Sequence, residues 1–74
     1  MIVPDGAEIT LQEMISNGSR FTPETRKAGD RFKVKSIVNG IVTGNWLNPG
    51  ANFLPTVKDL TKFKLNAPAW AERR

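Results

Sequence analysis

The sequence predicts an α+β fold, in which one short N-terminal helix packs on a small antiparallel β-sheet. Two observations carry this prediction: a helix-start pattern near residue 10, and polar-apolar alternation on both sides of an Asn-Gly pair at 39–40. The chain has 74 residues without an internal repeat or linker, so we expect one small domain over residues 1–74. Pro68 and the terminal Arg73-Arg74 pair favour a loose tail from about residue 67.

The helix prediction depends on the segment after Ile9. Thr10 and Glu13 have the spacing of a capping box, in which each side chain accepts a hydrogen bond from the backbone of the other. The apolar residues that follow recur at helical spacing: Leu11, Met14 and Ile15. Gly18 is a typical C-terminal cap. The pattern predicts a helix over residues 11–17, and two turns of helix are stable only when docked on another element.

Residues 31–47 are predicted to form a β-hairpin, because Asn-Gly is the preferred pair for a type I′ turn. Gly44 lies within the second predicted strand, where alanine is expected to be tolerated. A third strand is predicted near residues 61–65, where polar and apolar residues alternate again. These strands are compatible with an open sheet and with a sheet curled into an SH3-like or OB-like barrel.

The register of this hairpin decides where Trp46 lies. A regular two-residue turn places Trp46 opposite Lys33, on a face that also carries Ile37 and Val42. That face is then mixed, because the two aliphatic side chains favour burial and the lysine favours water. A β-bulge near Ser36 would resolve the conflict by switching the alternation.

The composition argues against an enzyme. The sequence contains neither cysteine nor histidine, which removes the commonest nucleophile-base pairs and most transition-metal ligands. The seven acidic residues show no spacing typical of acid-base catalysis or of a metal site. We therefore predict a non-enzymatic protein with no cofactor. Absence of cysteine, of a signal-peptide pattern and of a long apolar run predicts a cytoplasmic protein without membrane contact.

The charge is unevenly distributed along the chain. The net charge is +4; residues 1–30 hold five acids and three bases (−2), and residues 31–74 hold eight bases and two acids (+6). A basic half favours polyanionic partners such as nucleic acid or an acidic protein surface. The same charge could also serve solubility alone. The Arg26-Lys27 pair is interpreted as a solvated loop pair.

The candidate binding site combines one aromatic residue with several lysines. If the third strand joins the hairpin in the right orientation, four lysines surround one tryptophan: Lys33, Lys35, Trp46, Lys62 and Lys64. This combination suits single-stranded nucleic acid, because bases stack on aromatic rings while lysines neutralise phosphates. The alternatives are an ordinary solvated sheet face and a protein-interaction module, an inhibitor or adaptor that docks on an acidic surface of a larger partner. Exposed strand edges leave both a monomer and a homodimer open.

Overall fold

Strands dominate the computed structural model, which describes residues 3–66. The α+β prediction is wrong, because these residues form no helix of seven or more residues and only one 3₁₀ helix, Val57–Lys62. The strands are β1 (Glu8–Leu11), β2 (Ile15–Ser16), β3 (Thr25–Arg26), β4 (Arg31–Val38), β5 (Ile41–Trp46) and β6 (Phe63–Leu65). The predicted tail from about residue 67 lies outside the described residues.

The strands form two antiparallel sheets. The main sheet has the order β5-β4-β1-β6, and β2 pairs with β3 in a separate two-stranded sheet. The main sheet does not close on itself within residues 3–66, so the barrel alternatives are also wrong. The predicted third strand is present as β6, but it lies next to β1 and not next to the hairpin.

The segment predicted as helix 11–17 forms strands instead. Burial alternates along β1, where Ile9 and Leu11 are buried and Thr10 lies between them. Because Thr10 is in the middle of a strand, it caps no helix. Met14, the helical-spacing partner of Leu11, is 63% exposed. The reason is burial: a two-turn helix is marginal by itself, whereas a central strand buries Ile9 and Leu11 completely between β4 and β6.

The predicted hairpin is confirmed, and it contains the bulge. Asn39 and Gly40 both have positive φ, at 51° and 78°, as a type I′ turn requires. Pairing runs regularly from Val38↔Ile41 to Ser36↔Thr43 and then shifts by one residue, so that Lys35 is the extra residue of β4. Beyond the bulge, Trp46 lies opposite Phe32, and the regular pairing of Trp46 with Lys33 is wrong.

The core lies on one side of the main sheet, which we call the inner face. It is covered by the β2-β3 pair, by the 3₁₀ helix and by the segment 53–55. The buried hydrophobic residues are Val3, Ile9, Leu11, Ile15, Phe32, Val34, Val42, Leu60 and Phe63. Each such side chain stabilises the fold by about 1.5–3 kcal/mol. No helix in residues 3–66 is both long and apolar enough to cross a membrane.

Gly44 is the residue of β5 that allows the bulge to form opposite it. Its φ is 150°, and a Cβ built on it would collide with the carbonyl oxygen of Lys33 and lie 3.0 Å from the amide nitrogen of Lys35. These are backbone atoms of the neighbouring strand and cannot move aside without breaking the pairing. The expectation that alanine is tolerated here is therefore wrong.

We predict that Gly44→Ala lowers the free energy of unfolding by about 3 kcal/mol, through the clash and the strained backbone. Gly40→Ala is the matched control. Residue 40 also requires positive φ, but a Cβ there would meet no atom closer than the Val57 side chain at 4.0 Å. We therefore expect Gly40→Ala to lower the free energy of unfolding by only about 1 kcal/mol. Urea unfolding followed by tryptophan fluorescence measures both. Equal losses would show that β4 adjusts freely around the bulge.

Candidate nucleic-acid interface

The side of the main sheet opposite the core is polar, and we call it the outward face. Lys33 lies opposite Glu8, and Thr10 lies between Arg31 on one neighbouring strand and Lys64 on the other. The three cations therefore come from two strands that are both paired with β1. Arg31, Lys33 and Lys64 are exposed, so they form a basic surface directed to solvent.

A hydrogen-bond network holds the centre of the outward face. The Glu8 carboxylate accepts a hydrogen bond of 2.8 Å from the Asn66 amide and lies 3.5 Å from the Arg31 guanidinium. The Thr10 hydroxyl donates to the Asn66 side-chain oxygen at 2.9 Å. Glu8 is thereby matched to Arg31, while Lys33 and Lys64 have no ion-pair partner within the part of the chain that the structure describes.

Lys35 and Lys62 lie at the margins of this surface. Lys35 is the exposed extra residue of the bulge. Lys62 ends the 3₁₀ helix, and its ammonium lies 3.8 Å from the carboxylate of Glu13, with both side chains well exposed. Such a pair contributes about 0–1 kcal/mol, so Glu13 holds Lys62 only weakly.

Trp46 is the predicted site residue that lies apart from the lysines. It points to the inner face, where its ring packs edge-on against Phe32 with 5.0 Å between ring centroids. Its indole N–H donates to the carbonyl oxygen of Phe53 at 2.8 Å. The bulge causes this placement, because it moves Trp46 from the face of Lys33 to the face of Phe32. Trp46 is therefore a partly buried residue that packs against the core, and its N–H is satisfied.

Arg26 covers the Trp46 ring, although the sequence suggests a solvated loop residue. The Arg26 residue is only 2% exposed, and its guanidinium carbon lies 4.4 Å from the ring centroid. Desolvated cation–π contacts of this kind contribute about 2 kcal/mol. No spacing rule in the sequence points to this role, which depends on the pairing of Arg26 with the buried Ile15 in the folded protein.

The polar atoms of Arg26 hold the turn 48–51. Nε donates to the Ala51 carbonyl oxygen at 2.7 Å, and Nη1 donates to that of Asn48 at 3.0 Å and lies 3.3 Å from the Asp30 carboxylate. Nη2 is buried and has no partner among the described residues. Gly50 closes the turn over the guanidinium, since a Cβ there would lie 3.0 Å from the guanidinium carbon. Arg26 is therefore structural.

The outward face can bind anions through its ammonium and guanidinium groups and can accept hydrogen bonds through the side-chain oxygens of Glu8, Thr10 and Asn66. Residues 3–66 contain no group of three or more metal-ligating side chains. Comparison with protein-family models, with curated protein sequences and with solved structures finds no significant match to this chain. Fold and surface together define a small antiparallel β protein with a basic outward sheet face.

We predict that Arg26→Lys lowers the free energy of unfolding by about 3 kcal/mol. The lysine ammonium is a single point charge, so it cannot cover the Trp46 ring and also bond the carbonyls of Asn48 and Ala51. Thermal denaturation followed by circular dichroism measures the loss. Arg20→Lys makes the same chemical change at an exposed loop position, where we expect less than about 0.5 kcal/mol. Equal melting temperatures for the two variants would contradict the structural role of Arg26.

Proposed function

We propose that this protein is a non-enzymatic binding module that holds nucleic acid through phosphate contacts on its outward face. The observation that carries the proposal is the position of Lys33 and Lys64, which have no ion-pair partner among residues 3–66, on one solvent-facing surface beside the Arg31–Glu8 pair. From the spacing and rise of strands, the Cα atoms of Lys33 and Lys64 are about 12 Å apart. The proposal includes a cytoplasmic location.

The physical basis is release of counterions. Each lysine or arginine that neutralises a phosphate frees a condensed cation, which gives affinity that falls as salt rises. Within residues 3–66 the side chains of the outward face include no aromatic ring, because Trp46 points to the inner face. Binding by this face is therefore independent of base sequence and, with so few contacts, in the micromolar range at low salt.

For a single strand, log Kobs falls linearly as log salt rises. Lys33→Gln and Lys64→Gln are each expected to make this slope less steep by about 0.7. Each substitution removes one phosphate contact, and both positions are exposed, so stability should not change. Fluorescence anisotropy with a labelled oligonucleotide, titrated at several salt concentrations, measures the slope.

Lys58→Gln is the matched control for this measurement. Lys58 is an exposed residue of the 3₁₀ helix, which packs on the inner face through Leu60. The substitution removes the same charge from the other side of the sheet, so the slope should stay at the wild-type value. A reduction as large as that of Lys33→Gln would show that net charge, and not the outward face, determines binding.

The second candidate function is docking on an acidic protein surface. It is favoured by apolar residues at the end of the β4-β5 hairpin: Val38 is 52% exposed, Val57 is 44% exposed, and the Val57 amide donates to the carbonyl of Gly40 at 2.9 Å. Lys58 adds a positive charge beside them. If no oligonucleotide binds at low salt, the nucleic-acid proposal fails and this second function takes its place.

A further inference from the structure

The loop that joins β2 to β3 presents an aromatic side chain to solvent. Phe21 lies in this loop, residues 17–24, and is 94% exposed. It is the most exposed large hydrophobic residue in the described part of the chain, ahead of Met14 at 63%. The ring is therefore almost entirely accessible to a ligand.

Hydrogen bonds fix the backbone on both sides of this ring. The side-chain oxygen of Asn17 accepts from the amides of Ser19 at 2.9 Å and Glu24 at 3.3 Å. The Ser19 hydroxyl oxygen accepts from the amides of Phe21 at 3.2 Å and Thr22 at 3.1 Å. A partner therefore meets a loop whose backbone is already ordered, which lowers the entropy lost on binding.

The surroundings of Phe21 fit a nucleobase better than a protein pocket. An aromatic anchor in a protein interface usually lies at the centre of a larger contact patch that excludes water. The neighbours of Phe21 are small, polar or charged, with Arg20 exposed directly before it. A base needs only one flat ring on which to stack, together with a cation for its phosphate.

The length of chain between the loop and the outward face limits how far apart the two can lie. The β2-β3 pair joins the main sheet at the end of β1, where the Leu11 amide donates to the Asp30 carbonyl at 2.8 Å. Phe21 precedes Arg31, on the outward face, by ten residues, a distance of at most about 35 Å. Even a strand stacked as in a duplex, with one phosphate per about 3.4 Å of axis, covers this distance with roughly a dozen nucleotides, and an extended single strand needs fewer.

We infer that Phe21 stacks on an unpaired base, and that the ligand of this protein is therefore single-stranded nucleic acid. The inference rests on the proposed function, because the outward face supplies the phosphate contacts. In a duplex the flat faces of the bases are covered by their neighbours, so Phe21 can add affinity only on a single strand.

The test compares three ligands at low salt: an oligothymidine, an abasic strand with the same backbone, and a duplex. Each is about 20 nucleotides long, which exceeds the roughly 4–16 nucleotides that single-strand binding sites cover. Phe21→Ala is expected to weaken oligothymidine binding roughly five- to a hundredfold. Its affinity for the abasic strand and for the duplex should equal that of the wild type. Phe21→Trp should restore binding, and Met14→Ala, which shortens another exposed apolar side chain, should bind like the wild type.

The outcomes separate the two proposals. If the wild type binds none of the ligands, the proposed function and this inference both fail. If the oligothymidine binds but Phe21→Ala has wild-type affinity, the inference fails and the phosphate-binding function stands. An equal loss on the abasic strand also overturns the inference, because the ring would then act on the backbone. A circular dichroism melt of Phe21→Ala should match the wild type, since the ring is exposed.

Discussion

One extra residue in β4 determines the side of the sheet to which Trp46 points. Side chains alternate along a strand, so the bulge at Lys35 reverses the facing of every residue paired beyond it. As a result Trp46 joins Phe32 on the inner face and Lys33 stays in water. The bulge also depends on Gly44 in β5, because only a residue without a Cβ fits opposite it.

The position of Trp46 explains why an arginine is buried in so small a core. The layer over the ring consists of a two-residue strand and the turn 48–51, and such a turn has backbone carbonyls that need donors. The guanidinium of Arg26 lies over the ring and donates to the carbonyls of Asn48 and Ala51 at the same time. An apolar side chain could cover the ring but could not donate to the carbonyls, and it would leave Asp30 without its ion pair.

Local patterns were sufficient for part of this structure. The turn follows from the Asn39-Gly40 pair itself, and the bulge and the exposed lysines follow from strand alternation, because mixed faces are unfavourable. The strand β1 could not be predicted in this way: its residues also match a helix start, and the choice is made by burial between β4 and β6, which are distant in sequence. The same holds for Arg26, whose ring and carbonyl partners lie more than 15 residues further along the chain.

The basic surface exists only in the folded protein. Lys33 and Lys64 are 31 residues apart in the sequence, and they share a face because β4 and β6 both pair with β1. The network around Glu8 and Asn66 ties these three strands together on the same face. A lysine here can be neutralised without touching the core, whereas a change at Trp46 or Arg26 removes the support of the sheet itself. Loss of binding caused by a lysine variant therefore reports on the interface, and loss caused by a core variant reports on folding.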